Sequence, residues 1–270
     1  MAAPPTEPPV YPLKRNTLAS TRLNYNHFWM KALTGYLLHP SIPTEKENLR
    51  VVDVGAGTGI WISELAGTLP NANFDAVDVS ADQFPPTSIR PPNVSWWTHD
   101  CFQPFPAEYL GKFDVVNVRF WTCIINDDRS DALFQNVITL LKPGGYLSWF
   151  EPLPDSAEVH APPGYGPTPA CDQLADSWRK PTASSSYDWV NNLPQTFERN
   201  GIPVTAEDKY QNPKYLWPVQ AQSENLGLSE YAYSSPSVAD FQEALAKEHA
   251  AGVFVHVTWT CVVGRKLEAS

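Results

Sequence analysis

Val51-Val52-Asp53-Val54-Gly55-Ala56-Gly57-Thr58-Gly59 is the stretch on which the reading of this chain turns. Arg50–Val54 is a short run rich in valine, the pattern of a strand buried on both faces. The glycines that follow turn the chain and leave its backbone bare. A ligand can then approach the amide groups that open the next helix. Ile60–Leu69 reads as that helix, with Trp61, Leu65 and Leu69 on one face and Pro70 as its stop. The dinucleotide fingerprint requires glycine or alanine at the sixth position of the motif. Ile60 stands there, so the loop is expected to serve another cofactor.

Outward from this loop the chain alternates strand and helix. Asn73–Val79, Val94–His99, Phe113–Arg119 and Gly145–Phe150 read as further strands. Asp128–Leu141 reads as an amphipathic helix, capped by Asp128 or Ser130 and stopped by Pro143-Gly144-Gly145. Such alternation implies an α/β fold with a parallel sheet covered by helices on both faces. Residues 20–38 read as an N-terminal helix, with Leu23, His27, Met30 and Leu33 near one face. Residues 1–15 carry five prolines and little periodicity, and are expected to be a disordered tail. From Pro152 to about Leu193 the rhythm fails, and a long loop over one end of the sheet is expected. It returns weakly at Gly201–Tyr210, then clearly with a helix at Ser237–Ala250 and one strand at Val253–Val263. The expected organisation is a single domain over 16–270, with an N-terminal lid at 16–44 and an insertion at 152–195.

Composition narrows the function. With 270 residues, 43% hydrophobic, the chain can bury a sizeable core. Nineteen basic residues against 29 acidic ones give a net charge of −10, which repels phosphate backbones and argues against a nucleic-acid partner. No run of 18 apolar residues occurs and the N-terminus lacks a secretory pattern, so no membrane partner and a cytoplasmic location are expected. Cys101, Cys123, Cys171 and Cys261 lie far apart with no CxxC pair, which excludes a disulfide framework and points to a reducing compartment. The acids Glu151, Asp155 and Glu158 with His160 are irregularly spaced, and no metal site is expected from them.

The segments RLNYNHF (22–28), VVDVGAGTGIW (51–61), VDVSADQFPP (77–86), PPNVSW (91–96), FDVVNVRFW (113–121), LKPGGYLSWFEP (141–152) and VVGRK (262–266) stand in order along the chain. Together they resemble class I S-adenosylmethionine-dependent methyltransferases over roughly residues 20–264. More narrowly, they are similar to the fungal secondary-metabolism group that includes the velvet-associated methyltransferase. The resemblance implies a Rossmann-like methyltransferase fold, a mostly parallel seven-stranded sheet with an antiparallel last strand. It implies S-adenosyl-L-methionine as cofactor and a small-molecule acceptor. It also implies that Gly55, Ala56, Gly57 and Gly59 cradle the cofactor, with Val79 beside it. Asp100 would accept the adenine amino group, with the Cys101 amide at the ring edge and Phe102 against its face. The N-terminal segment would form a lid near the cofactor, bringing Tyr25 toward it and Trp29 toward the acceptor.

The residues themselves agree. Asp78 ends the second strand, 19 residues after Gly59, where a carboxylate can accept both hydroxyls of a ribose. Asp53, a buried acid, is expected to order the loop through hydrogen bonds. Arg119 and Phe120 follow the fourth strand, where cofactor and acceptor should meet. Trp121, Trp149 and Trp259 are candidates for an aromatic acceptor wall, Trp259 being the better fit to a core role. The nucleobase-methylating N/D-P-P-Y/F motif is replaced by Asn117-Val118-Arg119-Phe120, which weakens that substrate class. Methyl transfer needs alignment and exclusion of water above all. An oxygen acceptor adds a proton to remove, and His27 is the first candidate base, ahead of His160 and His256. The expected reaction is methylation of oxygen, or next nitrogen, on a small and largely apolar natural product. The rivals are a cyclase that keeps the cofactor without transferring its methyl group, and a regulatory binding module.

Overall fold

The computed structural model describes residues 14–122, 124–125, 127–180, 187–232 and 236–268, without the side chains of 127, 128, 231, 232 and 236. Most of the expected tail and Cys123 lie outside these residues, as does the side chain of the expected cap Asp128.

Seven strands form the main sheet: β1 (Arg50–Val54), β2 (Asn73–Asp78), β3 (Val94–Thr98), β4 (Phe113–Arg119), β5 (Leu141–Pro152), β7 (Val204–Tyr210) and β9 (Trp259–Arg265). Their order is β3-β2-β1-β4-β5-β9-β7. The pairs among the first five are parallel, and β9 runs antiparallel to both β5 and β7. The chain-terminal strand is therefore the reversed one, as the resemblance implies.

Alternation along the strands sends side chains to two separate cores. Val52, Val54, Val116, Val118, Leu147 and Trp149 face one, where α3 (Asp127–Thr139), α5 (Asp188–Asn191) and α6 (Leu193–Arg199) add Leu133, Phe134, Trp189 and Phe197. Val51, Val115 and Phe150 face the other, beneath α1 (Thr17–Thr34) and α2 (Ile60–Thr68), which contribute Trp29, Met30, Trp61 and Ile62. Asn16 begins α1 by accepting a hydrogen bond from the Ala19 amide, and Gly35 ends it at φ +79°.

Three sequence expectations need correction. Residues 152–195 are not a loop: they contain β6 (Glu158–His160) and α4 (Pro169–Arg179), besides α5 and the start of α6. Residues 253–263 are not one strand. They divide into β8 (Phe254–His256), which pairs with β6 in a second, two-stranded sheet, and β9 in the main sheet. The division falls at Thr258, whose amide donates to Ser156 Oγ at 2.8 Å and whose carbonyl accepts from the Leu153 amide at 2.8 Å. The LKPGG turn does not precede the fifth strand, because β5 already pairs with β4 at Leu141↔Phe113 and absorbs the turn as a register shift. A further helix, α7 (Trp217–Ala232), had no sequence signal and packs on α1 and on α8 (Pro236–Ala250). With β6, β8 and α4, α8 encloses a third cluster of Ala157, Ala170, Cys171, Leu174, Leu245, Val253, Val255 and Val257.

Candidate active site

Strand order reverses between β1 and β4, the place where α/β sheets open a crevice beyond the carboxyl ends of their strands. A cavity of about 170 Å³ lies there. Asp53, Gly55, Ala56, Gly57, Asp78, Val79, Asp100, Cys101, Phe102, Arg119, Phe120 and Trp121 all line it. Four strand ends and the first glycine turn thus deliver most of the residues singled out in the sequence to one place.

The glycine turn is folded onto β2. The amides of Gly55 and Ala56 both donate to the Val77 carbonyl at 2.9 Å, and the Gly57 amide donates to Asp78 Oδ2 at 2.9 Å. Gly55, Gly57 and Gly59 sit at φ +78°, +55° and +65°, a region open to glycine at little cost. Side chains close over the turn. A Cβ on Gly55 would lie 2.7 Å from the Trp121 ring, and one on Gly59 would lie 2.2 Å from the Trp96 ring. Gly59 caps α2 and is not among the lining residues.

Asp78 also accepts from the Ser80 amide through Oδ1 at 3.2 Å, which leaves lone pairs on both oxygens for a ligand. Burial pushes its carboxyl above the usual range, against the pull of the Gly57 amide. Asp100 Oδ1 accepts from the Phe102 amide at 3.0 Å and so shapes the turn after β3. Asp53, 3% exposed, accepts from Asn117 Nδ2 at 2.8 Å. Burial raises its carboxyl too, while Arg119 and Asn117 oppose the shift. The Arg119 guanidinium lies 5.1 Å from the Trp61 ring and 5.4 Å from the Phe120 ring, and its own burial lowers its pKa. Phe120 takes φ +63°, a strained conformation for a side chain of this size, and its ring borders the cavity.

Five expected residues lie elsewhere. His27 is 2% exposed and outside this cavity; its Nε2 pairs with Glu64 Oε2 at 2.6 Å, beside Lys31 on the other oxygen. Desolvation lowers its pKa, so the neutral ring is favoured. It borders instead a smaller cavity of about 30 Å³ behind Arg119. The Tyr25 hydroxyl donates to Gln222 Oε1 at 2.6 Å, on the side of α1 that meets α7. Trp29 donates to Asn212 Oδ1 at 2.9 Å and packs edge-on to Trp259. Trp149, 1% exposed, is core: it stacks on Phe134 and donates to Glu151 Oε1 at 3.0 Å. His160 stacks on Trp217 at 4.7 Å in the second sheet, with His256 at 5.9 Å.

The structure adds Arg15, Leu23, Thr58, Ile60, Gln83, Ile124 and Arg129 to the lining. Leu23 Cδ1 stands 3.0 Å from where a Gly57 Cβ would be, and Thr58 Oγ1 donates to Asn24 Oδ1 at 2.7 Å, so α1 is the roof of the glycine turn. The Arg129 guanidinium lies 3.6 Å from the centre of the Phe102 ring. Asn117 was legible in principle. It is the register partner of Asp53 and shares its sheet face, as strand alternation from Arg119 would indicate. Among the described residues no cluster of His, Cys, Asp or Glu suits a metal ion, and no helix is long and apolar enough to cross a membrane.

Residues 24–207 match the family model described as a methyltransferase domain, and the chain belongs to that family. Curated relatives include the N-methyltransferase tcpN of Claviceps purpurea, 33% identical over 140 residues, covering 51% of this chain and 50% of the relative. The N-methyltransferase gliN of Aspergillus fumigatus is 32% identical over 132 residues, 48% of this chain and 46% of the relative. The methyltransferase psoC of the same species is 28% identical over 180 residues, 66% of this chain and 63% of the relative. The chain spans about half the length of the first two. Among solved structures, the cyclase SpnF aligns over 98% of this chain and 100% of its own at a TM-score of 0.54 and 16% identity, a likeness of fold.

Proposed function

We propose that the chain is an S-adenosylmethionine-dependent methyltransferase acting on a small, largely apolar natural product of secondary metabolism. The observation that carries this reading is the Gly57 amide held by Asp78 at the head of an apolar-walled cavity. A pyrophosphate would need such loop amides for itself. Here one is already given to a carboxylate, and the remaining space is lined by Asp53, Asp78 and Asp100 together with Arg15, Arg119 and Arg129.

The residues suit a sulfonium nucleoside. Asp78 offers acceptors for ribose hydroxyls and Asp100 one for an exocyclic amine, while Val79, Cys101, Phe102 and Ile124 offer apolar walls for a base. Asp53 sets a buried negative charge near the glycine turn, where a positive group is favoured. The cofactor supplies a methyl group already activated toward displacement. The chain's own contribution is then alignment and dryness, from Phe120, Trp121 and the α1 roof. The N-methyltransferase relatives favour nitrogen over the oxygen acceptor first expected. His27 is not carried into this proposal as a base, because its Nε2 is committed to Glu64.

The test is calorimetry with S-adenosylhomocysteine, followed by mass spectrometry of a candidate acceptor incubated with the chain and S-adenosylmethionine. Binding in the micromolar range and a product one methyl group heavier are expected. A product of unchanged mass assigns the chain to cyclase-type chemistry, and no binding overturns the proposal.

A further inference from the structure

Glu151, the penultimate residue of β5, is 0% exposed, and it does not line the cavity. Its oxygens are taken up by three N–H donors and the Thr122 side chain. Oε1 accepts from the Trp121 amide at 2.7 Å and from Trp149 Nε1 at 3.0 Å, and Oε2 accepts from the Thr122 amide at 3.2 Å. No Lys, Arg or His forms an ion pair with it among the described residues. A buried carboxylate without a counter-cation is costly, and backbone amides are the partners that offset the cost here.

The place of these amides gives the arrangement its meaning. Strand β4 follows β5 in register as far as Arg119↔Phe150, and the Phe120 amide still donates to the Phe150 carbonyl at 3.1 Å. The chain then leaves the sheet through the left-handed Phe120, φ +63°. The next two amides, which have lost their strand partners, are those that Glu151 receives. Trp121 in turn lays its indole along the glycine turn, donating from Nε1 to the Val54 carbonyl at 3.2 Å, with Gly55 under the ring. An unbroken set of contacts runs from Glu151 through Trp121 to the turn that borders the cavity.

We propose that Glu151 is a positioning residue for this cavity: by accepting the Trp121 and Thr122 amides it fixes the Phe120–Trp121 wall against the glycine turn, and so sets the affinity for the nucleoside. The inference rests on the proposed cofactor. Glu151 itself touches neither cofactor nor acceptor. Burial pushes its carboxyl up to about 7, in keeping with a group held by amides and not by a cation.

The test uses the full chain, S-adenosylhomocysteine as probe, and Glu151→Gln. Glutamine fills the same space but must turn its NH₂ toward an N–H donor, so one oxygen is lost to the amides. The expected result is a dissociation constant raised at least tenfold in a variant that still unfolds cooperatively. A role in packing alone would be rescued by glutamine, so affinity within threefold of the native chain overturns the inference. Hydrogen exchange of the native chain by NMR supplies a second reading that needs no variant. The Trp121 and Thr122 amides should exchange at least a hundredfold more slowly than the amide of Gly164, which sits in an exposed turn. Equal rates overturn the inference even if Glu151→Gln fails to fold. If the native chain does not bind the probe, the proposed function is what falls.

Discussion

Gly55→Ala separates the cost of backbone geometry from the cost of crowding at the glycine turn. Gly55 and Gly164 have nearly the same φ, +78° and +79°. Alanine at Gly164 meets nothing within 4 Å, so it bears only the left-handed backbone penalty of about 1–2 kcal/mol. At Gly55 the new Cβ would stand 2.7 Å from Trp121 Cζ2 and 2.9 Å from Cε2 and Nε1. The ring cannot slide away freely, since Glu151 holds its backbone amide and the Val54 carbonyl holds its indole. Overpacking of this kind adds about 1–3 kcal/mol, for a total of about 2–5 kcal/mol. Urea unfolding at 25 °C measures both variants on one scale. Gly55→Ala should cost at least about 1 kcal/mol more than Gly164→Ala, and the excess should vanish in a Trp121→Ala background. Equal losses for the two alanines, within about 0.3 kcal/mol, would show that the indole does not rest on the turn, and the contact path from Glu151 to the cavity would be broken.

Asp78→Ala removes acceptors worth about 1.5–3 kcal/mol for each charged hydrogen bond, so S-adenosylhomocysteine affinity should fall about a hundredfold while cooperative unfolding persists; unchanged affinity in calorimetry refutes the ribose assignment. The Glu151 carboxyl is raised from 4.5 to about 7 in the folded chain, so its contribution to stability is present below about pH 4.5 and lost as pH rises through 7. Native stability should therefore decline by about 2.5 kcal/mol more than that of Glu151→Gln between pH 5 and 8, read from urea midpoints, and parallel profiles would contradict the buried charge. His27→Ala breaks the seam between α1 and Glu64, and should lower stability by about 1–3 kcal/mol with turnover within threefold of native; a tenfold loss of turnover at unchanged cofactor affinity would restore His27 as a base.

The features legible in the sequence are those with a local cause. Valines and glycines around Asp53 announce strand, turn and helix within a dozen residues, and Asp78 and Asp100 are marked by the strands they end. What was illegible depends on partners distant in sequence. α7 shows no apolar stripe, because part of its contact with α1 is polar: Arg22 Nε donates to Glu230 Oε1 at 2.6 Å, and Ser223 donates to Asn26. Residues 253–263 alternate as one strand would, yet Ser156 and Leu153 capture Thr258 and split it. His27 lies on the buried side of α1 as its spacing indicates, but spacing cannot reveal Glu64 across the seam. Glu151 drew notice as an acid near others, whereas two of its partners are the backbone amides of Trp121 and Thr122, which no sequence pattern displays.

The third apolar cluster, beneath α4 and α8, shares no residue with the two that flank the main sheet. Substitutions inside it repack that end of the molecule without disturbing the strand register that spaces Asp53, Asp78 and Arg119, because well-separated sites act nearly independently. Selection can then remould that end of such a protein generation after generation while the sheet and its strand ends stay constant.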